Sequence, residues 1–344
     1  MRITHNMLTR TYLKRMDTSL NNLTKSNDKM TSGRAFNKSY ENVPDAGRAL
    51  KIRKLIADDE RQLTTIRDAE GRATAAEDGL RAVNSLLIRA EDLVVEGLNG
   101  TMSESDRKKI GTEIEKMRDE VYQIMNNKFS DKFLYNAAGN ADGSAPFSKD
   151  ASGNLLYNGY EVDAMKKNVV TGSVQYNNGS GYEDIAWNTK NFVDIGYGYD
   201  IDGTTSRVDA NTAFLDSFSG VECFGVGKNK DGVPINAYSL LDSMLTNLST
   251  NNMDGLEMDL NAIADSMEYL LTSITEVGAR VTTLEDTGGR LEAELINLQE
   301  TQNDLESLDI AHEIIYNKTF EQSWMVTLQM GSKILPTSLF DFLR

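Results

Sequence analysis

Residues 256–305 read LEMDLNAIADSMEYLLTSITEVGARVTTLEDTGGRLEAELINLQETQNDL. Within them Leu256, Leu260, Ile263, Met267, Leu270, Ile274, Val277, Val281, Leu284, Gly288, Leu291, Leu295, Leu298, Gln302 and Leu305 follow one another in alternating steps of four and three. Only Gly288 and Gln302 interrupt the apolar aliphatic series. A period of 3.5 kept for seven heptads is a coiled-coil seam, not the single stripe of an ordinary surface helix. At 1.5 Å per residue, residues 256–308 would reach roughly 80 Å if unbroken, a length for which a globular enzyme has little use.

Such a seam needs a partner, and the N-terminal half supplies candidates. Leu13, Met16, Leu20, Leu23 and Met30 share a 3–4 spacing, with Asn27 in the remaining position. Ile66, Ala69, Ala73, Ala76, Leu80, Val83, Leu87, Ala90, Val94 and Gly97 keep it without a gap. A third run, Ile110, Ile114, Met117, Val121 and Ile124, follows the capping signal Ser103-Glu-Ser-Asp106. The alanines and glycine of the second run suit close approach by the leucines of the last. The expected fold is mainly α: a long antiparallel helical coiled-coil rod formed by N- and C-terminal arms, with a β-rich insert at the turn.

Glycine marks the insert. Fourteen of the 26 glycines fall in residues 138–237, with Tyr157, Tyr160, Tyr176, Tyr182, Trp187, Tyr197 and Tyr199. Short runs such as Gly172-Ser-Val-Gln-Tyr176, bounded by Asn/Gly turns, read as strands. Charge divides the chain at the same places. The net of −16 resolves into +3 for residues 1–137, −6 for 138–237 and −13 for 238–344, and the first 54 residues alone carry +8. Opposite charge at the two ends predicts that they lie beside each other. Overall acidity argues against a nucleic-acid partner, which calls for surplus positive charge.

Little in the sequence suggests chemistry. Cys223 is the single cysteine, so no internal disulfide is expected, and a packed thiol is the simpler reading than a nucleophile without a base. His5 and His312 lack carboxylate or thiolate neighbours for a metal. Gly225-Val-Gly227-Lys228 reads as a turn, and Asp200-Ile-Asp202-Gly203 lacks the glutamate that completes a calcium loop. Asn99-Gly-Thr101 and Asn317-Lys-Thr319 match the glycosylation acceptor pattern only. Catalytic, cofactor-binding and metal residues are expected to be none, and so are cofactors. No run approaches a membrane span, so no membrane partner is expected, and the start lacks the apolar region of a secretory signal. The chain either stays in the cytoplasm or leaves by another export system.

The C-terminus is unusually apolar. After Leu308-Asp-Ile-Ala311 come Ile314, Ile315, Phe320, Trp324, Met325, Val326, Leu328 and Met330, and the chain closes Leu339-Phe-Asp-Phe-Leu-Arg344. Left exposed, this end would aggregate, so it requires burial against the N-terminal arm, against other subunits, or both. Residues carrying assembly are expected to be Leu13, Met16, Leu20 and Leu23 on one arm and Leu328, Ile334, Leu335, Leu339, Phe340 and Leu343 on the other.

Met1-Arg-Ile-Thr4 with Asn6-Met7, then Thr31-Ser-Gly-Arg-Ala-Phe-Asn-Lys38, resembles the N-terminal region of the flagellin superfamily. The ending Ile334-Leu-Pro-Thr-Ser-Leu-Phe-Asp-Phe-Leu-Arg344 and Leu308-Asp-Ile-Ala311 resemble its hook-associated protein 3 branch, the hook–filament junction proteins. The resemblance covers roughly 1–137 and 240–344 and departs at Ser39-Tyr-Glu-Asn-Val-Pro-Asp45. It implies a flagellin-like layout: 1–45 with 309–344 as a terminal helical pair, 46–137 with 238–308 as a helical rod, and 138–237 as an outward insert. It implies a structural adaptor of the bacterial flagellum, not an enzyme, that self-assembles at the junction and templates flagellin polymerisation. The implied partners are copies of itself, the first hook–filament junction protein, flagellin and a flagellar export chaperone. Secretion by the flagellar type III apparatus is implied with them. Flagellin itself, and a cytoplasmic coiled-coil scaffold, are the alternative readings.

Overall fold

The structure, a computed structural model, describes residues 5–137, 143–168, 174–177, 181–184, 192–196, 200 and 213–334. Seven helices carry most of the described chain: α1 His5–Ser32, α2 Val43–Gly97, α3 Glu104–Met125, α4 Gly220–Phe224, α5 Ala237–Thr250, α6 Met253–Glu306 and α7 Ile310–Ile334. The chain divides into two compact units, one of residues 1–60 and 292–344, the other of residues 61–291. The layout is mainly α, as expected: the long N- and C-terminal helices α1 and α7 pack against each other, and a small β-rich insert interrupts the helical chain.

In the larger unit α2 and α6 run antiparallel. Glu77 lies against Gly278 and Ile66 against Gly288. All ten positions of the second apolar run, Ile66 through Gly97, are buried. Their small side chains admit Leu256, Ile263, Leu270, Ile274, Val277, Leu284 and Leu291 of α6, which are buried in the same core. The N-terminal part of α6 buries a wider face than one seam. Asp259, Ala262, Ser266 and Ser273 are buried as well, and Ser243 Oγ and Asn247 Nδ2 of α5 donate to the Asp259 carboxylate at 2.8 and 2.7 Å. Burial raises the Asp259 pKa, opposed by those two donors.

Helix α3 begins where the capping signal places it, with Ser103 Oγ accepting from Asp106 N at 3.2 Å. It packs along α5, where Arg118 Nη1 donates to Asp242 Oδ1 at 2.6 Å. A buried arginine joins the helix ends: Arg107 donates through Nε to Gly97 O at 2.9 Å, through Nη1 to Asn251 Oδ1 at 3.0 Å and through Nη2 to Asn99 O at 3.2 Å. The last carbonyl of α2, that of Gly97, is thereby satisfied.

The hairpin β1 (Lys128–Phe129) and β2 (Lys132–Phe133) turns through Ser130 and Asp131, both at positive φ. The strands β3 (Phe147–Lys149), β4 (Leu155–Tyr157) and β5 (Tyr160–Glu161) form one antiparallel sheet. A second contains β6 (Met165–Lys167), β7 (Val174–Asn177) and β8 (Tyr182–Asp184), and β9 (Phe192–Val193) pairs with β10 (Phe214–Leu215). Aromatic rings fasten this insert to the helices. Tyr135, Phe147, Tyr157 and Phe224 are fully buried, Tyr135 Oη donates to Ala76 O at 2.8 Å, and Tyr157 Oη donates to Tyr135 O at 2.9 Å. Gly225 and Gly227 take positive φ on the stretch leading into the Lys228–Pro234 bridge, and the turn itself lies beyond them, at 230–231. Cys223 is buried beneath them, and desolvation pushes its thiol up to about 12.

Candidate assembly interface

In the smaller unit α1 and α7 pack along each other. Their shared face is not the leucine stripe of α1. Tyr12, Ser19 and Ser26, seven residues apart, are the buried positions, with Met16, Leu23 and Met30 half-buried beside them. Ser26 Oγ donates to Glu313 Oε1 at 2.7 Å, and Asn317 Nδ2 donates to Ser26 Oγ and Asn27 Oδ1 at 3.2 and 2.8 Å. At the far end the Tyr12 hydroxyl lies against Gly331, where a β-carbon would collide with it. The buried centre of the pair is thus one tyrosine, two serines and a short polar network, with Met16, Leu23 and Met30 of α1 and Phe320 and Trp324 of α7 half-buried, in helices of 28 and 25 residues.

Where α1 and α7 are followed into α2 and α6, the backbone takes part. Gly33, at φ 69°, ends α1, Leu308 N donates to Gly33 O at 3.0 Å, and Ala35 N donates to Glu306 O at 2.8 Å. Arg53 Nη2 donates to Glu306 Oε2 at 2.6 Å, and that hydrogen bond holds the Glu306 carboxyl below its ordinary pKa. The opposite charges of the two arms thus meet at Arg53 and Glu306, while the α1–α7 face itself joins through neutral groups and Glu313.

The apolar side chains left over are numerous. Leu13 and Leu20 are 44% and 43% exposed, so these two point away from α7, and Leu328 is 47% exposed. Met7, Leu8, Ile310, Ile314, Ile315, Met325, Val326 and Met330 are exposed as well. Met7, Leu8, Thr11, Tyr12, Arg15, Thr327 and Met330 line a groove of about 400 Å³ between the two helices. Ile334 closes α7 with its backbone, its side chain outside the described residues; Leu335, Leu339, Phe340 and Leu343 lie outside them altogether. Sequence reading missed Tyr12, Ser19 and Ser26 because two of them are polar. Their signal is the seven-residue repeat.

Among the described residues no group of three or more His, Cys, Asp or Glu side chains is placed to hold a metal ion. His312 stacks edge-on against Tyr316 at 4.6 Å, and the side chain of His5 lies outside the described residues. Asp202 also lies outside them. No described helix is long and apolar enough to cross a membrane.

Residues 3–139 match the bacterial flagellin N-terminal helical region. A flagellin from Clostridium tyrobutyricum is 21% identical over 350 residues, covering 91% of this chain and 93% of that protein. Among solved structures, a flagellar hook-associated protein from Vibrio parahaemolyticus superposes with a TM-score of 0.58 at 17% identity, covering 78% of this chain and all of the other. The FlgL protein of Xanthomonas campestris superposes at 0.50 and 16% identity, covering 75% and 99%. Residues 3–139 thus match the flagellin N-terminal helical region, and the chain shares its fold with the solved flagellar hook-associated protein.

Proposed function

We propose that this protein is a structural subunit of the bacterial flagellum that assembles with copies of itself at the hook–filament junction and offers the surface on which flagellin polymerises. The observation that carries the reading is the α1–α7 pair, whose shared face is partly polar while Leu13, Leu20, Ile314, Ile315, Val326 and Leu328 stay exposed. A helical pair with apolar side chains on its outside is built to be covered by neighbours. Head-to-tail contacts between identical chains give open tubes rather than closed dimers. Leu13, Met16, Leu20, Leu23, Leu328, Ile334, Leu335, Leu339, Phe340 and Leu343 are the assembly residues on this reading. The 1–45 and 309–344 segments form the assembly core, 46–137 with 238–308 the rod, and 138–237 the outward insert. The first junction protein, flagellin and an export chaperone are its partners, and the flagellar type III apparatus carries it out of the cell. Catalysis has no part in the role, nor do cofactors.

Deletion of the gene, followed by electron microscopy and assay of the medium, tests this. Hooks without filaments, with flagellin shed into the medium, are expected. Filaments of normal length would overturn the reading. A second reading, filament flagellin, is favoured by the full-length likeness to the Clostridium tyrobutyricum flagellin. Hooks without filaments and without shed flagellin would decide for it.

A further inference from the structure

The Asn99-Gly100-Thr101 corner between α2 and α3 has a chemistry independent of assembly. Asn99 Oδ1 accepts two hydrogen bonds from one residue, Thr101 N at 3.1 Å and Thr101 Oγ1 at 2.9 Å. Both Asn99 and Gly100 are exposed, and a β-carbon at Gly100 would meet nothing within 4 Å. Two donors on a carbonyl oxygen stabilise negative charge that develops there when a nucleophile attacks its carbon. The adjacent nucleophile is the backbone nitrogen of Gly100, unhindered by any side chain of its own.

We propose that Asn99–Gly100 is a self-modifying site, at which the side-chain amide cyclises and is converted to a carboxylate. As solvent hydroxide takes its proton, the Gly100 nitrogen bonds to Asn99 Cγ, and the carbonyl electron pair moves onto Oδ1 between the two Thr101 donors. Collapse breaks the Cγ–Nδ2 bond, and the nitrogen takes a proton from water and leaves as ammonia, regenerating hydroxide. Water then opens the five-membered imide at either carbonyl, giving aspartate or isoaspartate at position 99. The new charge appears on the residue whose main-chain carbonyl the buried Arg107 guanidinium already holds, so it arises beside a compensating cation.

Asn158–Gly159 is an internal comparison with the same dipeptide. Both amide atoms of Asn158 are buried without a hydrogen-bond partner, its backbone nitrogen donates to Pro146 O at 2.8 Å, and Asn158 and Gly159 are held at φ 49° and 86° in the β4–β5 turn. Burial shuts that amide off from solvent, and among the described residues no donor faces its oxygen.

The experiment incubates the purified full chain at mildly alkaline pH and follows tryptic peptides by mass spectrometry. Peptide 90–107 contains Asn99 as its sole asparagine, so a gain of about one dalton is assigned without ambiguity. Isoaspartate is identified by labelling with an isoaspartyl methyltransferase. Conversion at Asn99 is expected to exceed that at Asn158 by about tenfold or more, and Thr101→Val to slow it by about fivefold, the worth of one hydrogen bond in the transition state. Thr101→Ser keeps both donors and is expected to keep the rate. In denaturant the difference between the two sites should vanish. Conversion at Asn99 no faster than at Asn158, an unchanged rate in Thr101→Val, or a difference that persists in denaturant would each overturn the proposal.

Discussion

Tyr135 and Asp163 are single residues whose environments make opposite demands. The Tyr135 hydroxyl donates to Ala76 O across the core and is otherwise surrounded by apolar groups, and burial raises its pKa well above the ordinary tyrosine value. Tyr135→Phe removes one buried hydrogen bond, and a loss of about 1 kcal/mol is expected in denaturant melts. Asp163 follows β5, in a single helical turn at Val162–Ala164. Desolvation raises its pKa to about 6, with the Ser239 hydroxyl and Lys228 pulling down and Glu161 and Asp242 pushing up. Its folded pKa lies above the unfolded value near 4, so the folded state binds a proton the unfolded state has released. Asp163 therefore subtracts stability as pH rises from about 4 to about 6, and the loss is complete at neutrality. Asp163→Asn should melt higher than the parent at pH 7 by on the order of 2 kcal/mol, and the gap should close as pH falls toward 4. Thermal melts across that range check it, and a gap independent of pH would remove Asp163 from the account.

Gly79 of α2 and Gly289 of α6 stand in opposite surroundings. A β-carbon at Gly79 would strike the Tyr135 hydroxyl and come within 3.3 Å of Ile124 Cγ2. In α6, Gly289 has nothing within 4 Å and Gly288 would make an ordinary 3.6 Å contact with Ile66. The same substitution should then act with opposite signs. Gly79→Ala is expected to destabilise by about 1–3 kcal/mol through overpacking. Gly289→Ala is expected to stabilise by about 0.5–1 kcal/mol, because alanine restricts the unfolded chain and suits a helix interior. Paired chemical-denaturation curves decide between the two signs. The α2 stripe and the Ser103 cap are legible in the sequence because each is fixed locally, by spacing or by one side chain reaching one amide. The packed face of α1 is not. Its leucines are the most hydrophobic residues present, yet the helix turns Tyr12, Ser19 and Ser26 toward α7 and leaves Leu13 and Leu20 outside. Hydrophobicity alone does not say which stripe of a helix its own chain buries, and on the proposed function the remaining stripe is covered by neighbouring copies. The wide face of α6 around Asp259 is hidden for a related reason: a buried carboxylate reads as solvent-facing until Ser243 and Asn247 are brought to it from α5.

At the scale of the whole molecule the question is which residues hold one chain together and which are kept for its neighbours. On the proposed function the two classes interleave on α1 and can be separated by mutation. Tyr12 is buried against Gly331, so Tyr12→Ala or Gly331→Ala loosens the α1–α7 pair within a single chain. Leu13, Leu20 and Leu328 are each more than two-fifths exposed, so replacing them with aspartate removes little packing from the monomer. A surface substitution away from buried features usually changes stability by less than about 0.5 kcal/mol. The triple variant Leu13→Asp, Leu20→Asp, Leu328→Asp should therefore keep the parental melting curve and helical content. Burying those carboxylates at an interface is another matter, since an unpaired charge taken out of water is strongly disfavoured. The variant should fail to form polymers in sedimentation assays and fail to restore filaments to a deletion strain. Tyr12→Ala should instead raise hydrogen exchange along α1 and α7 before any polymer is present. Normal polymerisation by the triple aspartate variant would mean that the exposed leucines serve no contact between copies, and the assembly reading of the arm pair would fall with it.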